Sequence, residues 1–183
     1  VNEAETALWW ARVRAAGPQR VEPSSAFPAG MLRLVEPEVT AVWLLAVVPE
    51  GARHSVSEEL GLPALAVEQP NDTARVLAAC LRCCWAEPTG PMWPGVPASK
   101  DEVAAVFGEI TNRDKAASNR ALLAAIRRLA GAAWLLWDEP GQTVRLGPRV
   151  AAWGSAELSA LRELWRMLPS AADVGRADEE GPR

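Results

Sequence analysis

The sequence predicts a mainly α-helical protein that carries one small, two-stranded β wing. Three observations point there. Apolar residues recur at helical spacing in Leu77, Cys80, Leu81 and Cys84, then in Val103, Val106 and Phe107, then in Leu122, Ile126 and Leu129. Alternating residues in Trp134 to Trp137 and Thr143 to Leu146 flank Asp138-Glu139-Pro140-Gly141-Gln142, the pattern of a hairpin. The hairpin follows a basic helix with no linker between them. The expected organisation is an acidic, mainly helical region over residues 1–70, a second domain of helices and hairpin over 71–169, and a flexible tail over 170–183.

A chain of 183 residues, 49% hydrophobic and 23% charged, is long enough to bury a core. Its longest apolar run, Ala41 to Val48, is far shorter than the roughly 20 residues that cross a bilayer as a helix. The first residues, with Asn2, Glu3 and Glu5, lack the basic start and apolar stretch of a signal peptide, so a soluble, cytoplasmic protein with no membrane partner is expected. Three cysteines, Cys80, Cys83 and Cys84, do not suggest a secreted disulfide framework.

Taken in order, Glu3 to Ala16 reads as a helix with Leu8, Trp9 and Val13 on one face, ended by Gly17-Pro18. Gly17 to Gly30 is rich in turn formers and reads as a loop or arm. Met31 to Val35 fits a short strand. Pro37 suits a first helical position, and Val39 to Val48 fits a buried helix or a strand; the helix is the expectation. Ser55 and Glu58 have capping-box spacing ahead of a short turn closed by Gly61.

Thr73 to Ala86 is a helix, and the four prolines between Glu87 and Ala98 make a loop that joins it to the next. Ser99 with Glu102 caps that helix, and Thr111 or Asp114 caps the one after it, which Gly131 stops. Pro140-Gly141 can sit at the centre of a type II turn. Gly154-Ser155 opens a last helix whose Leu158, Leu161, Leu164, Trp165 and Leu168 either close the core or form a homodimer through residues 155–168.

Charge is segregated along the chain. Residues Asn112 to Trp153 hold seven basic and three acidic side chains, a surplus of four, so with a net charge of −4 the remainder carries −8. With a single histidine, His54, no nucleophilic triad is arguable, and no phosphate-binding glycine motif is present. No enzymatic activity is expected. Cys80, Cys83 and Cys84 would share a helix face but offer three ligands where zinc or an iron-sulfur cluster wants four, so no metal or other cofactor is expected and the thiols read as small buried side chains. Most of the nine tryptophans fall on apolar stripes and read as packing.

The run Ser118-Asn119-Arg120-Ala121-Leu122-Leu123-Ala124-Ala125-Ile126-Arg127-Arg128-Leu129-Ala130-Gly131, continued by Trp134 to Trp137 and Thr143 to Gly147, resembles the recognition helix and wing of bacterial winged helix-turn-helix regulators. The likeness covers residues 99–153 and is one of residue types, at the level of the superfamily. It implies that the helix bearing Asn119 and Arg120 enters the major groove of DNA and that Arg145 on the wing approaches the backbone or minor groove.

The residues carry a parallel argument. Guanidinium and amide forks suit phosphate oxygens and base edges, so Arg113, Lys115, Arg120 and Arg127 fit a positioning role and Asn119 or Arg120 a base-reading one. Arg120 projects further from the buried side than Asn119. Transcriptional regulation through DNA is the expected function, with a non-catalytic docking subunit of a larger, DNA-organising or phage-like assembly as the alternative.

Overall fold

The computed structural model describes residues 17–25, 30–37, 40–46, 72–111, 114–153 and 155–174. The chain divides into two compact units, Val1–Ala66 and Val67–Arg183. Helices are combined with two small three-stranded antiparallel sheets, one in each unit. The expectation of a mainly helical chain is corrected to that mixture.

In the first unit the described residues form a sheet of β1 (Gln19–Val21), β2 (Met31–Val35) and β3 (Val42–Ala46), in the order β1-β3-β2. The short strand expected at Met31 is present. The buried helix expected over Val39 to Val48 is a central strand instead, and Pro37 lies in a turn. Ala41, Val42, Leu44 and Leu45 are all buried, so consecutive side chains are covered on both faces. A strand covered on both faces shows no alternation, which is why periodicity alone could not separate it from a helix. The helix expected over Glu3 to Ala16 and the capping box at Ser55 and Glu58 lie outside the described residues.

Arg20, Trp43 and Leu34 are register partners across this sheet. Beyond Leu34, the Glu36 carboxylate accepts hydrogen bonds from Arg20 Nε at 3.3 Å, Thr40 Oγ1 at 2.7 Å and Trp43 Nε1 at 2.9 Å. Its backbone N–H donates to the Ala41 carbonyl at 3.0 Å. One acidic side chain thus ties both strands to the connection between β2 and β3.

The second unit is built around α1 (Asp72–Cys84), which packs against α2 (Lys100–Thr111), α3 (Lys115–Gly131) and the strands β4 (Ala98–Ser99) and β6 (Thr143–Leu146). Val76, Ala79 and Cys80 are fully buried on α1. The capping box ahead of α2 is made as its spacing predicts: the Ser99 N–H and hydroxyl donate to Glu102 Oε2 at 2.7 and 2.8 Å, and the Glu102 N–H donates to Ser99 Oγ at 3.2 Å. Val103, Val106 and Phe107 are fully buried beneath it. Asp114 caps α3, accepting from the N–H groups of Ala116 at 3.0 Å and Ala117 at 3.1 Å. Three residues, 112–114, separate the end of α2 at Thr111 from the start of α3 at Lys115.

Gly131 is the last residue of α3, but the left-handed residue that ends the helix is Ala133, at φ 59°. The Trp134 N–H donates to the Leu129 carbonyl at 2.9 Å and the Ala133 N–H to the Ala130 carbonyl at 3.0 Å, the Schellman pair of bonds. β5 (Leu135–Asp138) then pairs with β6. The hairpin is part of a three-stranded sheet in the order β4-β6-β5, because Ala98 and Ser99 pair with Val144 and Thr143. Two residues are too few to show a strand pattern. The joining turn is not type II, since Gly141 lacks a positive φ and Gln142 has one, 49°. A Cβ on Gly141 would crowd only the exposed Asp138 carboxylate, which can rotate away.

After a 3₁₀ turn at Pro148–Ala152, α4 (Ser155–Met167) returns to α1. Leu158, Leu161 and Trp165 pack on the core. Trp165 Nε1 donates to the Trp85 carbonyl at 3.0 Å, Arg162 Nε to the Pro88 carbonyl at 2.7 Å, and the Arg82 guanidinium lies 3.9 Å over the Trp165 ring. Leu158, Leu161 and Trp165 of this apolar stripe thus help to close the core. Ser170 to Val174, expected as the start of a tail, forms a turn of helix in which the Asp173 N–H donates to Ser170 Oγ at 3.1 Å, and Ala171 packs on the core.

Candidate nucleic-acid interface

α3 has two unlike sides. Ser118, Leu122, Ala125, Ile126 and Leu129 are buried. Lys115, Ala116, Asn119, Arg120, Ala124, Arg127 and Arg128 are exposed. The division follows from the helical period, which puts Ala116, Arg120, Ala124 and Arg127 in one row along the outside. Alanines on either side of Arg120 keep that row low, so its guanidinium stands proud of the helix.

The candidate residues do not behave alike. Lys115, Asn119 and Arg120 are exposed, and among the described residues none of them has a hydrogen-bond or ion-pair partner. Exposure does not separate Asn119 from Arg120 as their projection suggested. Arg127 is exposed as well, but it is ion-paired with Glu139 of the turn between β5 and β6. Arg113 lies outside the described residues. Arg145 is half-buried on β6, opposite Leu136 of β5 and away from the turn. With Leu135, Val144 and Leu146 fully buried on the inner face of the hairpin, Arg145 belongs to its outer face.

Two further cations near this surface serve the fold. Arg128 donates to Thr73 Oγ1 on α1 at 2.6 Å. Arg149 donates to the Ala132 carbonyl at 2.8 Å and lies 5.5 Å from the Trp134 ring centre, and burial pulls its pKa below the usual guanidinium value. Sequence reasoning did not find Glu139. The signal was there: Asp138-Glu139 puts two carboxylates on a tight turn directly after a basic helix. The turn end of the hairpin, with exposed Asp138 and Glu139, is therefore acidic, the opposite sign to α3.

The cysteines lie on the inner side of α1. Cys84 Sγ donates to the Val144 carbonyl at 3.6 Å. Burial, with the neighbouring thiols adding to it, holds the Cys80 thiol well above its usual pKa. Burial and the Glu102 charge push Cys83 up to about 11, and burial, Cys83 and Glu102 push Cys84 up to about 12. Thiols held neutral in this way are poor nucleophiles and poor metal ligands. Among the described residues no three His, Cys, Asp or Glu side chains are grouped to hold a metal, and no helix is long and apolar enough to cross a membrane.

The chain matches no protein-family model, no curated protein and no solved structure. Its functional reading rests on the geometry of α3 and its surroundings.

Proposed function

We propose that residues 67–183 form a winged helix-turn-helix domain that binds duplex DNA non-catalytically, with α3 in the major groove, and that the protein is a cytoplasmic transcriptional regulator. The order of elements supports the fold reading: a helix ahead, the pair α2 and α3 across a short connection, then a hairpin. The observation that carries the functional reading is Arg120, exposed between Ala116 and Ala124 on a helix braced from behind by Leu122, Ile126 and Leu129. A helix enters the major groove only along a narrow outer face, and there Arg and Asn forks have base edges within reach. Lys115 supplies a further cation for a phosphate.

A net charge of −4 does not oppose this, because Lys115, Arg120 and Arg127 are exposed together on α3. Steep salt dependence is the signature of such contact, each neutralised phosphate contributing about 0.9 to the slope of log K against log salt. Arg120→Ala combined with Arg127→Ala is expected to abolish binding to duplexes selected from a random pool, as measured by fluorescence anisotropy.

A docking subunit of a larger assembly is the second reading, and the acidity of the β5–β6 turn favours it. Asp138 and Glu139 would repel a phosphate backbone brought against that end of the hairpin. A stoichiometric protein complex that survives both arginine substitutions, with no DNA binding by the wild type, would decide for docking.

A further inference from the structure

We infer that the β5–β6 turn carries an internal substitute for a DNA phosphate: the Glu139 carboxylate occupies Arg127 on the outer row of α3, and DNA must displace it to engage the whole helix. The inference rests on the reading of α3 as a DNA-binding helix. Arg127 follows Arg120 by seven residues, two helical turns, so the two side chains leave the same side of α3 from points about 10 Å apart along its axis. Of that row's two arginines, Arg120 has no partner among the described residues, while Arg127 is held by Glu139.

The chemistry of the two partners is interchangeable. The same guanidinium N–H groups donate to carboxylate or phosphate oxygens. Glu139 is placed by its backbone rather than by chance reach of a long side chain: its carbonyl accepts from the Gln142 N–H at 3.3 Å and from Gln142 Nε2 at 2.7 Å, which closes the turn. Its carboxylate therefore starts from a defined point beside α3. Both side chains of the pair remain more than half exposed, 57% for Arg127 and 59% for Glu139. An exposed pair of this kind is weak, and the dense negative charge of a duplex can displace it.

Asp138 supplies the control. It carries the same charge one residue earlier, at the end of β5, and among the described residues it has no ion pair with Arg127. The test is anisotropy of the full chain with a labelled random-sequence duplex over a salt series, using Glu139→Gln, Asp138→Asn and Arg127→Ala, each first checked for an unchanged melting temperature, and Arg120→Ala as the reading's own control. Glu139→Gln is expected to tighten binding about 3- to 5-fold near 0.1 M salt and to leave the salt slope nearly unchanged, because Arg127 reaches its phosphate in both proteins once Glu139 is displaced. Asp138→Asn should tighten binding less. In the Arg127→Ala background, Glu139→Gln should do no more than Asp138→Asn. Equal effects of the two turn substitutions, with Arg120→Ala still weakening binding, would overturn the inference and leave DNA binding standing; failure of the wild type to bind duplex at any salt would overturn both.

Discussion

The Arg128 guanidinium of α3 donates to the buried Thr73 hydroxyl of α1 at 2.6 Å, joining residues 55 positions apart. A cation lying beside the proposed reading surface is thus part of what holds α3 in place. Thr73→Val removes the acceptor and should cost about 1 kcal/mol in chemical denaturation, since Arg128 is exposed enough to be resolvated. DNA affinity at saturating folded fraction should stay unchanged. A large affinity loss in Thr73→Val would instead mean that the orientation of α3 depends on this bond.

The end of α3 has its glycine two positions too early for the left-handed residue. Ala133 holds φ 59°, while a Cβ on Gly131 would meet nothing within 4 Å. Ala133→Gly should stabilise the second unit by about 1 kcal/mol through relief of the left-handed penalty. Gly131→Ala should add roughly 0.5–1 kcal/mol through helix propensity. Denaturation midpoints of the two variants check both values, and a loss of stability in Ala133→Gly would contradict the Schellman geometry.

The thiols should resist alkylation in the native protein. With Cys83 pushed up to about 11 by burial and by the Glu102 charge, its thiolate fraction at neutral pH is about 100-fold below that of an ordinary cysteine. Glu102→Gln keeps the capping box with Ser99 but removes the charge, so the Cys83 pKa should fall. Iodoacetamide labelling against pH reads both effects, with denatured protein as the fast reference.

Glu36 sets an acid limit on the first unit. Partial burial opposes its ionisation, but the hydrogen bonds from Thr40, Arg20 and Trp43 and the Arg20 charge outweigh that and lower its pKa from 4.5. A carboxylate whose folded pKa lies below its unfolded one stabilises fully above the unfolded value and loses that contribution as pH falls through the folded value. Stability of the first unit should therefore decline below about pH 4.5, and less steeply in Thr40→Ala. An NMR titration of the Glu36 carboxylate should give a midpoint below the ordinary glutamate value.

The parts of the fold legible in the sequence are those decided within a few residues. Ser99 with Glu102 and Asp114 with the N–H groups behind it are local devices, and both sit where their spacing places them. Strand β4 consists of Ala98 and Ser99 alone and exists only because β6 is beside it. Strand β3 escaped because burial on both faces erases alternation. The two left-handed residues, Ala133 and Gln142, lie one or two positions past the glycines that local propensity would choose, since tertiary contacts override a cost of that size.

At the candidate site the exposed row of α3 was legible from helical phase. The engagement of Arg127 was not, because a bond from Arg127 to Glu139 depends on how the hairpin folds back rather than on either residue's neighbours. Arg145 was placed on the correct strand, but its position opposite Leu136, away from the turn, comes from a register that residue types do not specify.

The most direct measurement is the affinity of the wild-type chain and of Arg120→Ala for a duplex selected by the wild type from a random pool, with one base pair varied at a time. Loss of about 10- to 100-fold on substitution, together with loss of discrimination at one base pair, is the result expected for a guanidinium reading a base edge. Unchanged affinity and unchanged base preference in Arg120→Ala would contradict groove insertion of α3.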